Sequence, residues 1–254
     1  MSQLLNKVAI ITGGNSGIGF AAAQEFLTKG ARVLITGRKK DAVDQAAAAL
    51  GANAEGFLAD QRSLEDADKL AAHVKAQYGK ADILFVNAGV AILGSFEETT
   101  EAQFDEGMDI NFKGAFFTVQ KLLPLLRDGG SIIFLSSINA TTGMPGSAVY
   151  SASKAAMNSL TRVLARELAG RKIRVNAVNP GPITTPILEK AGLSDEAAAG
   201  FREQISKSVP LNRVGDAGEV AKLVAFLASD ESRYISGTEV AIDGGLTVHP
   251  LMQA

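Results

Sequence analysis

Short runs of β-branched and aliphatic residues alternate with Ala-rich amphipathic stretches along almost the whole chain, and this rhythm leaves few architectures open. Val8–Thr12 precedes a helical stretch over Ile18–Lys29, Arg32–Thr36 precedes Asp41–Leu50, and Ala54–Ala59 precedes Leu64–Tyr78. Ile83–Val86 leads into the long stretch Glu101–Leu126, and Ser131–Leu135 into a helix around Tyr150. Ile173–Val178, Glu219–Leu227 and Glu239–Ile242 complete the pattern. Most of the short runs are apolar throughout, as expected of strands covered by helices on both faces. Repeated strand–helix units imply right-handed crossovers and a parallel sheet. The expected fold is α/β: a doubly wound, Rossmann-type, mostly parallel sheet of about seven strands with helices on both faces.

One region breaks the rhythm. Residues 180–212 carry Pro180, Pro182 and Pro186, then Ser194-Asp-Glu-Ala, which resembles a capped helix start. A long excursion of this kind is read as a substrate lid over 186–210, with a plain surface insertion as the alternative. No linker, repeat or low-complexity block is present, so residues 1–254 read as one dinucleotide-binding and catalytic domain.

Composition removes whole classes of function. Basic and acidic residues number 25 and 27, for a net charge of -2, which offers no field for nucleic acid or an anionic membrane. The absence of cysteine excludes disulfides, thiolate nucleophiles and cysteine-based metal sites. His73 and His249 have no partner spacing, so neither metal nor serine-hydrolase chemistry is expected. No apolar run reaches membrane-spanning length, and Met1–Lys7 leads into a strand without a signal or transit pattern. A soluble cytoplasmic protein is the expectation.

Thr12-Gly-Gly-Asn-Ser-Gly-Ile-Gly19 falls between the first strand and the first helix. Gly13, Gly17 and Gly19 permit a tight turn and close approach of backbone to ligand. Asn15, Ser16 and Ile18 complete a cradle at a helix amino terminus, whose N–H groups and dipole suit a pyrophosphate. No Walker lysine follows, which removes an ATPase reading. The second strand ends Thr36-Gly37-Arg38-Lys39-Lys40. NAD-binding folds place an acid near this point to hold the ribose 2′-hydroxyl; here Gly37 stands there, followed by Arg38. An arginine grips a 2′-phosphate that an acid would repel, so Arg38 and Lys39 point to NADP(H). The bland alternative is three solvated loop charges.

Tyr150 and Lys154 lie one helical turn apart and leave the same face. A cation beside a phenol favours phenolate, so Lys154 is expected to draw the Tyr150 pKa down from about 10. Such a tyrosine serves as a proton donor or acceptor in carbonyl reduction.

The Thr-Gly-x3-Gly-x-Gly turn, Asn87-Ala-Gly89, Asn111, Ser137, Tyr150-x3-Lys154 and Pro180-Gly181 together resemble the short-chain dehydrogenase/reductase family over nearly the full length. In detail the chain looks most like its NADPH-dependent alcohol dehydrogenases and carbonyl reductases acting on bulky ketones. The resemblance implies that Tyr150 protonates a carbonyl oxygen while NADPH delivers hydride, and that Ser137 holds the same oxygen. It implies that Lys154 lowers the Tyr150 pKa and binds the nicotinamide ribose, and that Asn111 anchors a water relaying protons to Lys154. Ser136 is a neighbouring decoy, and Asn111 read alone is a polar interruption of a helix.

The resemblance also places Asp60, Asn87, Ala88, Gly89, Pro180, Gly181, Ile183 and Thr185 against cofactor, with Thr184 as the alternative hydroxyl. Gln61 departs from the aliphatic residue usual after Asp60. Val90, Ile92, Asn139, Met144, Ile187, Leu188 and Phe201 are candidate pocket residues, mostly apolar, which suits a hydrophobic ketone or secondary alcohol. A homotetramer is implied by the family. A lyase or epimerase with tightly held cofactor, and a non-catalytic dinucleotide sensor, are the competing readings.

Overall fold

A computed structural model of the chain describes residues 3–248. Its first half runs β1 (Val8–Ile11), α1 (Gly17–Thr28), β2 (Arg32–Gly37), α2 (Lys40–Leu50), β3 (Ala54–Leu58), α3 (Leu64–Tyr78) and β4 (Ala81–Val86). Then come α4 (Glu101–Met108), a π-helical turn (Asp109–Lys113), α5 (Gly114–Leu122), β5 (Leu126–Leu135), α6 (Ala148–Glu167) and β6 (Arg174–Pro180). The chain continues with β7 (Ile183–Thr184), α7 (Ile187–Lys190), α8 (Asp195–Ser206), β8 (Gly215–Asp216), α9 (Ala217–Ala228) and β9 (Glu239–Ile242).

Seven strands form one parallel sheet in the order β3-β2-β1-β4-β5-β6-β9, as the α/β reading expected. Alternate residues of each central strand enter different cores, which is why the runs are apolar at every position. Ala9 and Ile11 of β1, Ile83 and Phe85 of β4, and Ile133 of β5 pack with Ala22, Ala23 and Phe26 of α1 and with α9. Val8, Ile10, Leu84, Val86, Ile132 and Phe134 face the other way, against Leu70 and Val74 of α3, Val119 of α5 and Met157 of α6. Burying one such side chain contributes about 1.5–3 kcal/mol.

Several helices begin at a capping side chain. Ser63 accepts from the Asp66 N–H, and Thr100 with Gln103 and Asp216 with Glu219 form reciprocal capping boxes. The stretch Glu101–Leu126 is not one helix. It is α4, the π turn and α5, followed by a 3-10 turn ending at Leu125. β5 begins at Leu126, five residues before the expected Ser131, because Arg127–Gly130 form an irregularity in the pairing with β4, with Gly129 at φ 79.

The 186–210 excursion is two helices on a closed base. β7 pairs with β8 through Ile183↔Gly215 and Thr184↔Asp216, holding the two ends together. α8 starts where the sequence placed it: the Ser194 hydroxyl accepts from the Ala197 N–H at 3.2 Å. No described helix is long and apolar enough to cross a membrane.

Candidate active site

The sheet order reverses at β1, which has β2 on one side and β4 on the other, so a crevice opens beyond the carboxyl ends of β1 and β4. The glycine turn lines it. Gly13 takes φ 64 and lies so close to Ala88 that a Cβ would come within 2.9 Å of its Cα. At Gly19 a Cβ would sit 2.5 Å from the Gly13 carbonyl oxygen and the Asn87 amide. Asn87 explains the tightness: its Nδ2 donates to the carbonyls of Thr12 at 2.9 Å and Gly13 at 3.0 Å. The Thr12 hydroxyl accepts from the backbone N–H groups of Asn87 and Ala88, each at 3.0 Å. One buried hydroxyl thus joins the glycine turn to the Asn87-Ala88-Gly89 segment. Thr12 opens the glycine turn, but nothing in the sequence marks its hydroxyl as the link between both halves. Ser16 is the N-cap of α1, and Gly17, Ile18 and Gly19 form its first turn, which carries no acidic residue.

At the end of β2, Gly37 is buried while Arg38 and Lys39 are exposed beside the crevice. A Cβ on Gly37 would come within 2.8 Å of Asn15 Oδ1, so the missing side chain makes room for the Asn15 amide. Asp60 follows β3 and its carboxylate is gripped by Arg62: Nη2 donates to Oδ2 at 2.7 Å and Nε to Oδ1 at 3.2 Å. The Arg62 hydrogen bond holds the Asp60 carboxyl below the usual range, and the Arg38 charge adds to this. The unusual Gln61 turns inward, where Nε2 donates to the carbonyls of Ala88 and Ile110, each at 3.3 Å. It ties the Asn87–Gly89 segment to the π turn.

Ser137 follows β5 and accepts the Asn139 backbone N–H at 3.1 Å. Its hydroxyl lies near enough to the Tyr150 phenol to pull the phenol pKa down. The Ser136 hydroxyl instead donates to the Lys154 carbonyl at 3.0 Å, so of the two serines it is Ser137 that meets Tyr150. Lys154 is 4% exposed. Its Nζ donates to the Leu135 carbonyl at 2.8 Å and lies 5.6 Å from the centre of the Tyr150 ring. Burial pushes the ammonium down to about 8.

The expected electrostatic order is modified here. Burial raises the Tyr150 phenol, and the group that pulls against it is Ser137. The ammonium faces a backbone carbonyl, not the phenol oxygen. Tyr150 keeps part of its surface on the cleft, which moderates the upward push.

Asn111 sits in the π turn and is buried. Its Oδ1 accepts from the Val90 N–H at 2.8 Å, and its Nδ2 donates to the Val90 carbonyl at 2.9 Å and Ser153 Oγ at 3.1 Å. Ser153 in turn donates to the Tyr150 carbonyl at 2.7 Å. The interruption in the helix therefore locks α6 to the loop after β4. Gly89 lies between Asn111 and Lys154: a Cβ there would be 3.1 Å from Asn111 Oδ1 and 3.4 Å from Lys154 Nζ.

Pro180 ends β6, and Gly181 packs so closely on the turn after β9 that a Cβ would meet Asp243 at 2.7 Å. Ile183 lies in β7, and Thr185 packs near Gly17, with its carbonyl accepting from Arg202 of α8 at 2.9 Å. Thr184 is exposed. His73 pairs with Glu55 at 2.7 Å, on the far edge of the sheet. His249 lies outside the described residues. Among those described, no cluster of three or more His, Asp or Glu is placed to hold a metal.

With this geometry in hand, comparison with known proteins is decisive. A family model described as enoyl-(acyl carrier protein) reductase matches residues 13–247. The chain is 42% identical to oxidoreductase asL5 of Sarocladium schorii over 248 residues, covering 97% of this chain and 98% of that one. The chain belongs to the short-chain dehydrogenase/reductase family. It is also 37% identical to the 3-oxoacyl-[acyl-carrier-protein] reductase FabG of Thermotoga maritima, over 97% of this chain and 100% of the relative. A short-chain dehydrogenase/reductase of Brucella melitensis superposes with TM-score 0.91 at 33% identity, covering 98% and 100% of the two chains. The aldohexose dehydrogenase of Thermoplasma acidophilum does so with TM-score 0.89 at 30% identity, covering 100% and 98%. The protein is therefore a short-chain oxidoreductase of the NAD(P)(H)-dependent kind, and these relatives differ in the substrates their names carry.

Proposed function

We propose that this short-chain dehydrogenase/reductase is an NADP(H)-dependent carbonyl reductase that interconverts a ketone and a secondary alcohol. The observation that carries the reading is the convergence of Ser137, after β5, and the Tyr150 phenol on α6 beside the buried Lys154, at the carboxyl edge of the sheet. The residues fit a dinucleotide. Gly13, Asn15, Ser16, Gly17, Ile18 and Gly19 would cradle the pyrophosphate, and Asp60 with Asn87, Ala88 and Gly89 would line the adenosine and ribose. Pro180, Gly181, Ile183 and Thr185 would border the nicotinamide. Arg38 and Lys39 would hold the 2′-phosphate, an assignment supported by Gly37 standing where an acid would repel it.

When bound, the reduced nicotinamide supplies a hydride to the carbonyl carbon. The protein handles the oxygen. Ser137 already accepts from the Asn139 N–H, which directs its own proton outward to a substrate oxygen and polarises the carbonyl. Tyr150 donates its phenolic proton to the same oxygen as the alkoxide forms, and the raised phenol pKa keeps that proton in place until then. Lys154, lowered by burial to about 8 and 5.6 Å from the Tyr150 ring, holds the proton that later restores the phenol, with Asn111 fixing the turn beside it.

The 186–210 helices act as a lid over one catalytic domain. The active protein is a cytoplasmic homotetramer acting on a small carbonyl or alcohol. Steady-state oxidation of NADPH and NADH with aryl ketones, sugars and acyl thioesters tests the reading. Ketone-dependent oxidation with NADPH preferred is expected, and oxidation with none of these carbonyls overturns it.

A further inference from the structure

Asn139 stands out from the apolar surroundings of the two catalytic hydroxyls. Its backbone N–H is bonded to Ser137 Oγ at 3.1 Å, so its side chain starts within a residue's reach of the carbonyl oxygen that Ser137 holds. Among the described residues the amide makes one side-chain contact, from Nδ2 to the Met144 thioether at 3.5 Å. A thioether is a weak acceptor. The contact orients the half-buried amide yet leaves its carbonyl oxygen and a second N–H without a protein partner among the described residues.

Its side-chain neighbour is apolar: Met144 is 36% exposed. The Met144 loop is joined to the loop that carries the exposed Phe96 by the Gly94 N–H donating to the Gly146 carbonyl at 2.9 Å. A hydrocarbon ketone packed against these side chains would strip water from the amide and return nothing.

We propose that Asn139 is the specificity-determining residue of this site. Its substrates are ketones that carry a second oxygen, as hydroxyl or carbonyl, on the carbon next to the reacting carbonyl, with apolar groups elsewhere. This rests on the carbonyl-reductase reading and narrows its substrate class. Ser137 and Tyr150 take the reacting oxygen, and the Asn139 amide takes the neighbouring one. Because an amide both donates and accepts, it recognises a hydroxyl or a carbonyl at that position.

The test is kcat/KM with NADPH for two matched pairs: acetophenone with 2-hydroxyacetophenone, and butan-2-one with 3-hydroxybutan-2-one. Each is measured on wild type, Asn139→Leu and Asn139→Ser, with melting curves to confirm folding. Comparing ratios between proteins cancels the intrinsic reactivity of the ketones. Asn139→Leu should lower the oxygenated-to-plain ratio about tenfold, the worth of one neutral hydrogen bond. Asn139→Ser, which restores a donor and acceptor, should recover part of the ratio. An unchanged ratio in Asn139→Leu, or equal losses on both members of a pair, overturns the assignment. If wild type reduces other ketones but neither hydroxyketone, the inference fails and the reductase reading stands; if no carbonyl is reduced, that reading fails first.

Discussion

Replacing Thr12 by Val isolates the hydroxyl that joins the two halves of the cofactor crevice. The side chain is 2% exposed, and valine matches it in shape, so no cavity opens. What is lost is one acceptor serving two backbone donors, the N–H groups of Asn87 and Ala88, each at 3.0 Å. A buried donor left unpaired costs about 1–3 kcal/mol. Both residues are half-buried, so the lower part of that range applies to each, for a total of about 2–3 kcal/mol. Thr12→Ser keeps the acceptor and removes one methyl, at about 1 kcal/mol. Urea unfolding followed by circular dichroism reads the global share of the loss. Fluorescence titration with NADPH reads the share spent on reordering residues 87–89, where the Val variant should bind about tenfold more weakly. If Thr12→Val proves as stable and binds as tightly as Thr12→Ser, the hydroxyl is not the link described here.

Two further outcomes follow from the charges around the crevice. Arg38→Asp should reverse the preference from NADPH to NADH, because it replaces attraction of the 2′-phosphate by repulsion; an unchanged ratio of kcat/KM values would remove Arg38 as the selector. Burial holds Lys154 at about 8 against an ordinary value of 10.5. Between those two values the unfolded chain binds a proton that the folded chain has released, so stability of the nucleotide-stripped protein rises with pH through this residue. Tyr150, raised by burial, works in the opposite sense only above its ordinary value of 10.0. Lys154→Met should flatten the rise measured by urea unfolding across that window, and an identical slope in the variant would contradict the assignment.

The central strands were legible because they are buried on both faces, which leaves an uninterrupted apolar run such as Ile132–Leu135 that no loop would carry. The helix starts at Leu64 and near Ser194 were legible because capping chemistry is local. The π turn around Asn111 was not, since its cause is tertiary: Asn111 bonds across to Val90 and Ser153, and Gln61 bonds to Ile110. The early start of β5 escaped for a similar reason, as Arg127–Gly130 read as a turn and join the sheet only through an irregular ladder. The β7–β8 pairing rests on four residues with no strand pattern of their own. At the site, spacing placed Ser137, Tyr150 and Lys154 together. It could not show that the Lys154 ammonium is directed to the Leu135 carbonyl, nor that burial raises the phenol. The duty of Gln61 showed in the sequence only as an odd residue after Asp60.

The central claim is that Tyr150 gives its proton to the oxygen that Ser137 holds. Single-turnover reduction of a ketone by Tyr150→Phe, with NADPH affinity measured on the same protein, tests it most directly. The account predicts cofactor binding close to wild type and a rate of hydride transfer lower by about 10²–10⁴, the range for loss of a general acid. Hydride transfer at the wild-type rate in that variant would contradict it.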